Sequence, residues 1–168
     1  RNAPGLMALL VFIVSLAVFV CLTPRFTEKL YFPTGDEPYY LLIAHSLVHD
    51  HDIELTNNFD NADYWHYYPG ELYPRHEAKT TAPGLYSKHA PGLALLIAPA
   101  YVLGDWERHV VAPRDPDVAA QLPVAWDSSD WRATVYFFNI IGALLAANIY
   151  LLAYETSRKQ WVALLVWL

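Results

Sequence analysis

The sequence predicts an all-α integral membrane protein, and three observations carry that prediction. Apolar residues make up 55 % of the chain, and they are gathered in blocks where a soluble domain would disperse them at helical or strand spacing. Gly5 to Thr23 runs for 19 residues without a charge, enough to cross about 30 Å of hydrocarbon. Trp131 to Tyr154 runs for 24 residues with only Arg132 charged, at its start.

The first element is a span over about 5–23. A signal peptide would need a small-x-small cleavage site; Cys21-Leu22-Thr23-Pro24 is a poor one, and the second span argues against a secreted product. Cys21 is the only cysteine, which excludes an internal disulfide and a CxxC metal site. Between Pro24 and Asp130 the chain carries seven Lys/Arg against 16 Asp/Glu. Orientation is set by the short flanks, because basic residues are retained in the cytoplasm. Arg1 precedes the first span, and Arg158 and Lys159 follow the second. Residues 24–130 are therefore expected to form a long extracytoplasmic loop. With a formal charge of −6, the chain is not expected to bind nucleic acid.

Within the loop, Asp36 is placed to cap a helix over about 37–49, with Pro38 in the first turn. Tyr40, Ile43, Ala44 and Leu47 share one face of it. An Asn- and Tyr-rich stretch follows from Asp50 to Pro74, with turn signals at Asn57-Asn58 and Tyr68-Pro69-Gly70. Tyr64, Trp65, Tyr67 and Tyr68 read as interfacial anchors or as faces on which a sugar stacks. His49-Asp50-His51-Asp52 has metal-ligand residue types but reads as a solvated turn. No metal is assigned there, and a divalent ion is left open.

Pro91 to Leu103 is apolar for 13 residues and contains Pro99. It is too short to cross, so a juxtamembrane helix over about 91–103 is expected, interfacial or re-entrant, with Trp106 at its end. A Pro- and Asp-rich connector then leads to a second span over about 131–154, its outer interface marked by Trp126 and Trp131. In that span Asn139 and Asn148 are expected to bond neighbouring helices, and Gly142 with Ala146 permits close packing. A third apolar run covers 161–168. Residues 1–168 are expected to be the N-terminal fragment of one larger multi-pass domain.

The ordered motifs resemble a family. Gly35-Asp36-Glu37-Pro38-Tyr39-Tyr40-Leu41-Leu42-Ile43-Ala44, Tyr68-Pro69-Gly70-Glu71-Leu72, Tyr86-Ser87-Lys88-His89-Ala90-Pro91-Gly92-Leu93 and Ala98-Pro99-Ala100-Tyr101 follow a first span in that order. This is similar to the GT-C glycosyltransferases, which include protein O-mannosyltransferases and lipid A aminoarabinose transferases. Bacterial mannosyltransferase-like membrane proteins are the best likeness. Where mannosyltransferases have His-Pro-Pro-Leu, this chain has His89-Ala90-Pro91-Gly92-Leu93.

The resemblance implies a polytopic GT-C-like helical bundle in the plasma or inner membrane, with a polyprenyl-phosphate-linked sugar as donor. It implies that Asp36 is a catalytic base taking the proton of an acceptor hydroxyl, a poor nucleophile at neutral pH, with Glu37 supporting it. Tyr39 and Tyr40 would contact substrate, and Lys88, His89 and Arg132 would face the donor phosphate. No organic cofactor is implied. Two other classes stand beside this one: a transporter component, disfavoured because both spans lack charge in their centres, and a non-catalytic scaffold or lipid-linked sugar binder.

Overall fold

The structure is a computed structural model that describes residues 3–30, 32–68, 70–74, 83–110 and 129–168. Among the described residues six helices form in order: α1 (Ala3–Leu30), α2 (Glu37–His49), α3 (Thr56–Asp60), α4 (Gly92–Val110), α5 (Ser129–Ser157) and α6 (Gln160–Trp167). Among the described residues there is no strand, only an isolated antiparallel bridge between Glu54 and Tyr86. The chain divides into two compact units, Arg1–Glu28 with Val135–Leu168, and Lys29–Thr134.

The first unit holds α1, most of α5 and α6. Pro4–Arg25 and Ser129–Ser157 are long and apolar enough to cross a membrane, and only 17 % of the apolar window in each is buried. The core helix of a soluble protein would hide that surface. What is buried is small: Ala8, Val11, Ala147 and Ala163 surround Tyr150, and small residues let helix axes approach closely. A Cβ on Gly142 would lie 3.1 Å from the Phe19 ring, so glycine is what admits that ring. Asn139 Nδ2 donates across to Thr23 Oγ1 at 2.7 Å, and Trp167 Nε1 donates to Ser15 Oγ at 3.0 Å. Asn148 departs from the expectation. It donates to Leu144 O in its own helix at 2.7 Å, because a side chain with no polar partner across the gap satisfies itself on the preceding turn.

α1 also outruns its expected end, passing through Pro24 to Leu30. Proline removes one backbone bond, to the carbonyl four residues back, and the Thr23 hydroxyl donates to Phe19 O at 2.9 Å in the turn beside it.

In the second unit α2 packs on α4. Leu41, Leu42, Ile43 and Ala44 are all buried, as are Ala94, Ile97, Ala100 and Tyr101 of α4. Four consecutive buried residues mean that α2 is enclosed on every side at its centre, more than the single face its periodicity marks. Each such leucine contributes about 1.5–3 kcal/mol. Tyr64 and Tyr67 join this core, so they pack within the protein and do not serve as interfacial anchors; Trp65 stays exposed. Trp131 is buried as well, while Trp126 lies outside the described residues.

α4 continues seven residues past the expected Leu103, to Val110. The sequence becomes charged there, but the helix satisfies its own charges: Arg108 pairs with Asp105 one turn back, and His109 Nδ1 lies 2.8 Å from Asp105 O. Gly104 marks where α4 meets the first turn of α5. A Cβ there would fall 2.4 Å from Asp130 Cα and 2.5 Å from Ser129 O.

Candidate functional site

The Asp-Glu motif sits on the turn that opens α2. Gly35 takes φ +61, a left-handed conformation that glycine adopts without steric cost. The first backbone donors of α2 are then met by backbone. Glu37 N–H donates to Thr34 O at 3.2 Å, and Tyr39 and Tyr40 N–H donate to Asp36 O at 3.1 and 3.3 Å. Pro38 has no N–H to satisfy. Asp36 occupies the N-cap position, yet its side chain makes no capping hydrogen bond. Glu37 instead turns back, its Oε2 accepting from Thr34 N at 2.9 Å.

The Asp36 carboxylate is 56 % exposed, and its Oδ1 lies 3.8 Å from His89 Nε2. His89 reaches it from the segment before α4, where its backbone N–H donates to Ser87 Oγ at 3.1 Å. The ring is only 11 % exposed. Its centroid lies 4.9 Å from that of Tyr40 and 6.1 Å from that of Tyr39. Tyr39 is fixed in turn, its hydroxyl donating to Tyr73 O at 2.8 Å. So His89 packs on the start of α2.

Asp36, Glu37, Tyr39, Tyr40 and His89 thus converge, on the positive end of a helix dipole that favours a carboxylate. Lys88 adjoins them and is exposed; Arg132 is exposed on α5. Among the described residues neither supplies an ion pair to Asp36. Behind Tyr39 an apolar crevice lined by Leu55, Phe59 and Leu85 has about 10 Å³, room for one water.

A second polar cluster, unmarked in the sequence reading, gathers at the other end of α2. His45, His49, Asp63, Trp65, His66 and Arg108 line an open depression of about 740 Å³. His45 Nδ1 meets Tyr101 Oη at 2.9 Å, and its Nε2 lies 3.6 Å from Asp63. His49 Nε2 is 3.4 Å from Asp105. His66 Nε2 bonds the fully buried Asp130 at 2.5 Å. Burial pushes the His45 imidazole below its usual pKa of 6.5, the neighbouring His49 charge adds to this, and Asp63 opposes it. Burial acts to raise the Asp105 carboxyl, but the Arg108 guanidinium outweighs it and holds the group below the ordinary range. Burial, with Asp130 nearby, lifts the Tyr101 phenol well above its normal value. The signal for this cluster was the i, i+4 pair His45 and His49 on a predicted helix; its partners come from remote segments.

Among the described residues no group of three or more His, Cys, Asp or Glu is poised to hold a metal ion. The His49-Asp50-His51-Asp52 run organises a turn. Asp50 accepts from Asn58 Nδ2 at 2.7 Å, and Asp52 Oδ1 accepts from Ser46 Oγ at 3.0 Å and Glu54 N at 2.9 Å.

No family model matches this chain, and neither the curated proteins nor the solved structures contain a match to it.

Proposed function

We propose that the chain belongs to a multi-pass membrane glycosyltransferase that moves a sugar from a polyprenyl-phosphate donor to an acceptor hydroxyl on the extracytoplasmic face, with Asp36 as general base. The observation that supports this reading is the convergence, at the head of α2, of the half-exposed Asp36 carboxylate with Glu37, Tyr39, Tyr40 and His89.

In the proposed step the acceptor oxygen attacks the anomeric carbon as its proton passes to Asp36. The bond from that carbon to the donor phosphate oxygen breaks, and the polyprenyl phosphate leaves with the electron pair. The helix dipole favours the ionised form that a base requires. Glu37, tied to Thr34, holds the turn; Tyr39, Tyr40 and His89 form the wall beside the carboxylate. Lys88, His89 and Arg132 are the proposed cations for the departing phosphate. The two long apolar helices would hold this machinery at the plasma or inner membrane, with α4 as an interfacial or re-entrant helix.

The test is Asp36→Asn in the purified full-length protein. Asparagine has the size and shape of aspartate, and the first turn of α2 closes on backbone carbonyls, so the melting temperature should stay near that of the parent. Transfer of labelled sugar from a polyprenyl-phosphate donor should fall by roughly 10²-fold or more, the usual worth of a general base. Near-normal transfer by the variant would end the assignment and leave Asp36 as a surface residue of a scaffold.

A further inference from the structure

The depression at the C-terminal end of α2 is apart from Asp36, its lining residues His45 and His49 lying roughly 14 to 20 Å along the helix at about 1.5 Å per residue. Its chemistry is selective. Asp130 is buried, and its Oδ1 accepts from Trp131 N at 2.7 Å while its Oδ2 takes His66 Nε2. The buried carboxylate engages Nε2 of His66, which leaves Nδ1 as the nitrogen of that ring for a ligand in the depression. Asp63 is a second acceptor on the same wall. Arg108 supplies the donor side: its partly exposed guanidinium lines the depression and is held there by Asp105. Trp65 is 51 % exposed on the rim.

Two ligand classes fit poorly. The carboxylates Asp63, Asp105 and Asp130 outnumber the one guanidinium they surround, which disfavours a phosphate. For a transition metal, no group of three or more His, Cys, Asp or Glu among the described residues is placed to hold it. A sugar has what the site asks for. Its hydroxyls donate and accept at once, its C–H face suits an indole ring, and clefts of about 300–1,000 Å³ are of ligand size.

We propose that this depression is a saccharide-binding site, in which His66 and Asp63 accept hydrogen bonds from sugar hydroxyls, Arg108 donates, and Trp65 covers one face of the ring. The proposal stands on the depression alone and does not depend on the transfer reaction.

Saturation-transfer NMR on the whole chain in detergent micelles tests it, with methyl α-mannoside, methyl β-glucoside and glucosamine as probes and Zn²⁺ titrated separately. Saturable binding of at least one sugar is expected. Trp65→Ala and His66→Gln should each weaken it by about 10-fold, the loss of one good contact. Glutamine keeps an N–H for Asp130 but does not place its carbonyl oxygen where the ring Nδ1 stands, and Trp65→Phe, which keeps an aromatic face, should retain most of the binding. Asp36→Asn should leave this binding unchanged. Sugar binding lost in Asp36→Asn but kept in the Trp65 and His66 variants would place the ligand at the other end of α2 and overturn the proposal, without touching the transferase reading. No binding by any probe, or a response of the histidines to Zn²⁺ alone, would also overturn it.

Discussion

His45 is the residue on which proton binding and stability meet. It is packed against His49 at a centroid distance of 4.4 Å and His66 at 6.3 Å, with Asp63 and Tyr101 on its two nitrogens and Asp50 contributing charge. Because burial lowers its pKa in the fold, the unfolded chain binds a proton that the folded chain refuses. Stability from this group is complete above its unfolded value of 6.5 and declines as the pH falls from there to the lower folded value. The melting temperature in detergent should therefore fall by a few degrees between about pH 7.5 and about pH 5.5, and His45→Gln should flatten that slope. An unchanged slope in the variant would remove His45 from the account. The residue-level reading of the sequence found Asp36, Glu37, Tyr39, Tyr40 and His89 because they lie in two short motifs. It gave Asp36 a cap beside the base role that the resemblance implies, and that cap is not formed, because the Thr34 and Asp36 carbonyls already meet the first N–H groups of α2.

At the scale of the helix, legibility followed the kind of signal. α2 has the bounds Glu37–His49, where Pro38 and the apolar run both point to a start and Asp50 to a stop. α4 was cut short at Leu103 because hydropathy ends there, whereas the helix is carried on by local pairs from Asp105 to Arg108 and His109. Its contact with α5 left no mark in hydropathy, since a glycine says nothing of what lies against it. Gly104→Ala is a direct test. The added carbon meets backbone at Asp130 and Ser129, which cannot swing aside as a side chain can. Overpacking of this kind costs about 1–3 kcal/mol, so chemical or thermal denaturation should show a clear loss. A neutral alanine would mean that α4 and α5 do not approach so closely.

For the molecule as a whole, the blocks of apolar sequence became two helices with largely exposed apolar surfaces, and this part was readable from composition because a bilayer imposes a length on a span. The histidine-lined depression was not readable. Its members stand at 45, 49, 63, 66 and 108, and only tertiary packing brings such separations together. Orientation remains the boldest expectation of the charge pattern. With Cys21→Ser as background, Asn61→Cys should react with an impermeant thiol reagent in intact cells, and Gln160→Cys only after permeabilisation. The reverse pattern would place residues 24–130 in the cytoplasm and deny Asp36 an extracytoplasmic substrate.

The backbone-satisfied start of α2 also has a bearing on how selection acts at one position. Capping of α2 asks little of the side chain at residue 36, since the turn closes through the carbonyls of Thr34 and Asp36 and through Pro38. Asn, Ser, Thr and Gly all suit an N-cap, and drift under folding alone would sample them. An acid that persists at this position across diverged copies of the gene would therefore record a demand for charge, and its replacement by those residues would mark lineages in which that demand has lapsed.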